Sequence, residues 1–205
     1  VSNQGLIFTN HHCGYDAIAG ASTVEHNYLE NGFYAFNKDQ EIKSRLTVQF
    51  LDRIIDVTKD VEEAVKGLAW ADRVAKMPDV YKVITDKVVD IENGLNGRVY
   101  SMFKGNQYIM YVYKTYRDIR LVGAPPESVG KFGGDTDNWE WPRHTGDFSI
   151  FRVYATKDGK PAEYSKDNQP LKPKYFLPVS IKGIKDNDFA MIYGYPGGTN
   201  RYETS

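Results

Sequence analysis

GLIFTNHHCGY, residues 5–15, decides how this chain is read. Its first part, residues 5–10, is a brief apolar run closed by glycine on one side and asparagine on the other, the pattern of a short buried strand. Two histidines and the only cysteine of the 205-residue chain follow at once. Such a group admits four uses: a metal site, a thiol redox site, packing, or half of a catalytic apparatus. On an extended strand, successive side chains point to opposite faces, so His11 and His12 are not expected to share an ion. His11 should turn away from His12 into packing. His26 and His144 add no ligand spacing, and no His-Glu-x-x-His run exists, so no metal site is expected. Cys13 has no Cys-x-x-Cys partner for redox work.

The catalytic use finds a second half downstream. A serine hydrolase needs a histidine to accept the hydroxyl proton and an acid to hold the opposite ring nitrogen. The first strand delivers His12 at its end. TGDFSIFRVY, residues 145–154, places Asp147 at the mouth of an alternating apolar strand that Phe148, Ile150 and Val153 would fix. Taken singly, a histidine at a strand end and an aspartate before a strand both have plain structural explanations. Together they form a candidate catalytic pair.

Between these landmarks the pattern changes twice. After residue 10 a loop-rich stretch, dense in Asn, Gly and Tyr, is expected to about residue 40. Residues 46–58 read as a strand. In DVEEAVKGLAWADRVAKM, Asp60 and Glu63 have capping-box spacing, and Val61, Val65, Leu68 and Ala69 share one helical face with Val74 roughly in line. Pro78 suits the first turn of a second helix that Asn93-Gly94 would end. Residues 60–95 are therefore expected as a helical insertion. Strands are expected at 98–105, 107–116, 118–125, 148–155, 174–181 and 188–196, with the Gly/Asp/Trp-rich loop GKFGGDTDNWEWPRHTGD before the fourth of these. Strands joined by hairpin-sized loops favour a mainly β fold, an antiparallel barrel or sandwich.

Composition sets the outer limits. Hydrophobic residues at 41% and charged residues at 26% suit a globular core, and a net charge of −1 offers no basic field for nucleic acid. The 15 tyrosines suit either β-sheets or a peptide- or sugar-binding surface. No apolar run approaches the roughly 18 residues of a membrane span. The opening VSNQG reads as a turn between two strands with the first already under way. The sequence is therefore expected to be a piece of a longer protein, any targeting segment lying outside it.

These residues carry a resemblance. TNHHC resembles the TAAHC or TNxHV segment of chymotrypsin-like serine peptidases, whose histidine takes the fourth place, here His12. GDFSIF resembles their D-[I/V]-[A/T]-L-[L/I] strand, here led by Asp147. DNDFAMIYGYPGG, residues 186–198, resembles the G-D-x-x-x-A-I-G-x-P-x-G segment of bacterial members. More narrowly, GLIFTNHHCGYDAI, GGDTDNWEWPRHTGDFSIFRVYA and YGYPGG are similar to the bacterial serine dipeptidyl-peptidases of the type-7 and type-11 group, along the whole chain.

The resemblance implies a chymotrypsin-like antiparallel β-barrel, incomplete over residues 1–205, and an enzyme that removes dipeptides from peptides with a free N-terminus. It implies His12 as general base, Asp147 as its orienter, and Asn138 and Trp139 as the grip on the substrate's α-amino group; packing of Trp139 and Trp141 within the loop is the plainer alternative. Asp135 and Asp137 are expected as turn residues and His144 in a structural hydrogen bond. No cofactor is implied; the partners are peptides, with a homodimer of the full-length protein compatible, in the periplasm or at the cell surface. A disulfide from Cys13 to a cysteine outside these residues stays open. One departure is plain: none of the nine serines sits in the family's Gly-Asn-Ser-Gly-like turn. The nucleophile is expected outside this piece, beyond a helical lid, leaving the piece inactive alone. An endopeptidase with residues 133–146 as a surface loop, and a catalytically dead peptide-binding domain, remain the alternatives.

Overall fold

The computed structural model describes residues 2–131 and 145–191. The first strand, β1 (Leu6–Thr9), runs directly into helix α1 (His11–Ala21). This helix is the main departure from the sequence reading, which places a loop there. Two glycines, two histidines and a cysteine are poor helix formers. Packing overrides propensity, because His11, Gly14, Ala17 and Ile18 recur at helical spacing and are all buried.

Short elements follow: α2 (Tyr28–Asn31), β2 (Phe33–Tyr34) and β3 (Ile42–Lys43). Next come β4 (Val48–Asp56), α3 (Thr58–Ala64), α4 (Trp70–Asp86), β5 (Leu95–Met102), β6 (Gln107–Tyr116) and β7 (Asp118–Ala124). The described chain is completed by α5 (Glu127–Gly130), β8 (Ser149–Ala155) and β9 (Gln169–Pro170). All strand pairing is antiparallel and falls into two sheets. One has the order β1-β8-β7-β2, with β3 also on β7 and β9 on β8; the other has the order β4-β6-β5.

Each sheet builds its own core. On β6, Tyr108, Met110 and Val112 alternate inward, as the period of two requires. They meet Val57, Val61 and Val65 around α3, and Val80 and Ile84 of α4. On the first sheet, Ile119, Leu121, Phe151 and Val153 pack against Ala17 and Ile18 of α1. Burying each large aliphatic side chain contributes roughly 1.5–3 kcal/mol. Only Arg117 separates β6 from β7, so the chain steps from one sheet to the other almost without a loop.

A buried ion pair fastens residues 163–168 to the first sheet. Arg120 meets Asp118 through two hydrogen bonds of 3.0 and 2.8 Å, lies 3.6 Å from the Tyr154 ring and donates to the carbonyl of Ser165. Asn168 adds its amide to Asp118.

The helical region differs in detail from the expectation. Helix α3 starts before Asp60, and its first free N–H, from Thr58, donates to the Asp56 carboxylate instead of entering a capping box. Leu68, Ala69 and Val74 are all exposed. Pro78 lies inside α4, costing one backbone hydrogen bond, and the helix stops at Asp86. Asn93 and Gly94 instead form the turn into β5, with Asn93 bound to Asp90 and Gly94 at φ 67°. Residues 174–181 form no strand, nor do residues 188–191 of the expected strand 188–196, whose remainder lies outside the described residues: Leu177, Ile181 and Phe189 are exposed, and among the described residues no strand pairs with them. A strand without a neighbour has no ladder to complete. No helix among the described residues is long and apolar enough to cross a membrane.

Two glycines of α1 behave oppositely. A Cβ on Gly14 would stand 2.6 Å from Ser149 Oγ and 3.0 Å from the Phe151 ring, whereas one on Gly20 would meet nothing within 4 Å. Gly14→Ala in the intact protein should therefore destabilise α1 by about 1–3 kcal/mol, and Gly20→Ala should stabilise it by about 0.5–1 kcal/mol. Amide hydrogen exchange along α1 measures both, with faster exchange in the first variant and slower in the second.

Candidate active site

The register of β1 on β8 creates the site. Thr9 opposes Ser149, so the residues just beyond the pairing, Asn10 to His12 and Asp147, are brought to the same end of the sheet. There the chain turns from β1 into α1 with Asn10 at the N-cap position. Asn10 has extended backbone and makes no side-chain cap of its own helix. That role passes to a residue 137 positions away. Asp147 Oδ1 accepts the backbone N–H of His12 at 3.0 Å, one of the donors a helix start leaves unpaired.

The other carboxylate oxygen completes the arrangement. Asp147 Oδ2 lies 2.6 Å from His12 Nδ1 and accepts the Asn10 side-chain amide at 3.0 Å. Ser149 Oγ donates to the Asn10 carbonyl at 2.9 Å, tying the strand β8 to the helix start. An ionised carboxylate only accepts, so the proton between the two side chains belongs on His12 Nδ1. That assignment leaves Nε2 as the ring's acceptor. The imidazole is 71% exposed while Asp147 is 26% exposed, so a largely covered carboxylate holds an accessible ring.

Burial raises the Asp147 carboxyl pKa. The His12 N–H, the His12 ring and the Asn10 amide together outweigh that effect and hold it below the ordinary aspartate value.

His11 takes the opposite role. It is 1% exposed, its ring packed edge-on to Tyr15 and against Gly130, where a Cβ would approach the ring carbons to 2.5 Å or less. The two histidines do diverge, but because consecutive residues on a helix stand 100° apart and not because of strand alternation. The N–H of Gly146 bonds to the carbonyl of Val129, so both stems of the segment 132–144 are anchored beside His11. Asn138 and Trp139 lie outside the described residues, as do Trp141, Asp135, Asp137 and His144. Cys13 is free and exposed. Among the described residues no serine hydroxyl is bonded to His12; the nearby Ser149 is buried and committed to Asn10.

The family model described as Peptidase S46 matches residues 1–205. The chain belongs to the peptidase S46 family. An Asp/Glu-specific dipeptidyl-peptidase of Porphyromonas gingivalis is 51% identical over the whole chain, and a dipeptidyl-peptidase 7 of the same organism is 52% identical. In each case the chain spans 29% of the relative's length. Among solved structures, Porphyromonas endodontalis DPP11 aligns over 90% of this chain and 27% of its own, at 46% identity and a TM-score of 0.81. The same protein in complex with substrate gives 0.78 at 45% identity. The mainly β, antiparallel architecture of this S46 chain agrees with that neighbour.

Two residues of the constellation escaped the sequence reading. Asn10 was visible beside the histidines, but nothing local reveals that its amide reaches Asp147. Ser149 is one of the nine serines without a nucleophile's turn, and nothing near it in sequence points to the carbonyl of Asn10.

The depressed Asp147 carboxyl gives a pH signature. Its stabilising effect is present above the unfolded value of about 3.9 and is lost as pH falls through the lower folded value. Asp147→Asn should make the loss of stability below about pH 4 shallower, followed as denaturant midpoints of the intact protein between neutral and acid pH.

Proposed function

We propose that these residues supply the base and its orienting acid to a serine-type dipeptidyl-peptidase with a chymotrypsin-like fold. The observation that carries this reading is the 2.6 Å contact between Asp147 Oδ2 and His12 Nδ1, with Oδ1 locked on the backbone of the same histidine. A ring held at both its own nitrogen and its backbone has one orientation. Its Nε2 is then poised to take the proton of a serine hydroxyl supplied from outside residues 1–205.

In that reaction the serine oxygen attacks the carbonyl carbon of the second substrate residue, and Nε2 receives its proton. The resulting imidazolium is stabilised by Asp147. Protonation of the departing amine by Nε2 then releases the shortened peptide, and water frees the dipeptide from the acyl-enzyme. Asn138 and Trp139 hold the substrate's ammonium group, the amide oxygen by hydrogen bonding and the indole by cation–π attraction. The 205-residue piece is inactive alone. The Asp/Glu-specific and type-7 relatives match this chain equally well, so we place the choice of side chain before the cleaved bond outside it. The full-length protein acts in the periplasm or at the cell surface, where a homodimer is compatible with the reading.

In the full-length enzyme, Asp147→Asn should keep the fold yet lower kcat by about 10⁴ through the wrong ring tautomer. Near-normal turnover would remove His12 and Asp147 from the mechanism. A chromogenic dipeptide with a free N-terminus should be cleaved and its N-acetylated form should not. Equal cleavage of both would make the enzyme an endopeptidase. Failure of a fluorophosphonate to label the intact protein would make it a binding domain.

A further inference from the structure

We propose that the cavity beside α1, bounded by Asp16, Gly20 and the turn at residues 43–46, is a subsite for the leaving peptide. It selects a carboxylate two to four residues beyond the cleaved bond. This rests on the peptidase reading above and adds a site to it.

Position comes first. His12, Asp16 and Gly20 follow one another at four-residue intervals, so they form a single row along α1. At 1.5 Å per residue the cavity begins about 6 Å from His12 and reaches about 12 Å. An extended peptide at about 3.3 Å per residue covers that distance in two to four residues.

Direction follows from the other end of the helix. Gly130 and Gly146, the stems of the segment that carries Asn138 and Trp139, are anchored beside His11 at the start of α1. The substrate's amino end belongs there, and a dipeptidyl-peptidase has only two residues on that side. The chain beyond the cleaved bond then runs along α1 toward Gly20.

The lining is suited to an acidic group. The cavity holds about 630 Å³ and includes Asp16, Gly20, Lys43, Ser44 and Arg45. The exposed Arg45 guanidinium makes no ion pair or hydrogen bond among the described residues. Lys43 Nζ rests over the Tyr164 ring at 5.1 Å and has no carboxylate partner among them. By contrast, Arg120 and Arg152 are each paired with a carboxylate. Asp16 is the single acid of the lining against two cations, Lys43 and Arg45, so the wall carries a surplus positive charge.

The turn bearing these cations is rigid. Buried Ser44 donates both its hydroxyl, at 2.8 Å, and its backbone N–H, at 2.9 Å, to the carbonyl of Ile119, and it accepts the N–H of Leu46. Gly20 supplies an independent sign. Its φ lies outside the left-handed region and nothing approaches within 4 Å of a Cβ built there, so neither conformation nor packing requires glycine. Glycine in a helix lowers stability, and here what its missing side chain leaves is room on the cavity wall.

The test uses the full-length enzyme and three substrates. One is a dipeptide on a chromogenic amine. The other two are hexapeptides with the same first two residues, carrying either Asp or Lys at the second and third positions after the cleaved bond. Each kcat/KM is divided by the same variant's value on the chromogenic dipeptide, which places nothing in the cavity, so a general loss of folding cancels. The wild type should favour the Asp peptide over the Lys peptide by roughly threefold to tenfold at low salt, and the ratio should shrink in about 0.5 M salt. Lys43→Glu with Arg45→Glu should reverse it, and Gly20→Leu should lower both hexapeptide ratios. Equal use of the two hexapeptides by the wild type, or a preference that survives charge reversal, or no effect of Gly20→Leu, overturns the subsite while leaving the peptidase reading intact. No cleavage of the chromogenic dipeptide by the wild type overturns both.

Discussion

One carboxylate joins the start of the chain to the mouth of a strand 135 residues further on. Asp147 accepts three donors with two oxygens: a helix-start N–H, an imidazole Nδ1–H and a side-chain amide. A negative charge at this position also sits where the helix dipole is positive. The same interaction therefore secures the beginning of α1 and sets the ring of His12. The ring cannot be turned without uncapping the helix, and the helix cannot shift without moving the ring. A single side chain thus serves structural stability and chemical readiness at once.

That carboxylate depends on the sheet behind it. Asp147 lies just before β8, an interior strand paired with β1 and β7. Gly14 permits α1 to lie against Ser149 and Phe151, and Ser149 in turn holds the Asn10 carbonyl. Further along β8, Arg152 and Tyr154 both engage Glu41 with contacts of 2.8 Å. The strand is fixed along its length, so the acid at its mouth needs no further support from the helices over the second sheet.

Strands with strong alternation or long apolar runs were legible in the sequence. QYIMYVYKTY became β6, and FSIFRVYA contains β8. His12 and Asp147 were legible as partners because each stands at the end of such a strand. What could not be read was set by contacts distant in sequence. Helix α1 forms against its residues' weak propensities because Ile18 and Gly14 fit the sheet. Pro78 looked like a helix start, yet α4 runs through it. KYFLPVSI has strand composition, but composition cannot provide a neighbour. Asn10 illustrates the limit at the site itself: its chemistry was plain, its partner was not.

The distance along the chain between these partners has a consequence for biogenesis. Asn10 and Ser149 are 139 residues apart, and among the described residues β1 pairs with β8 alone. On a ribosome adding roughly 5–20 residues each second, β1 waits about seven to thirty seconds for its partner to be made. Throughout that interval the edge of LIFT is unsatisfied. The half-sheet that carries His12 therefore closes only after β8 has been made, and until then LIFT is exposed to mispairing.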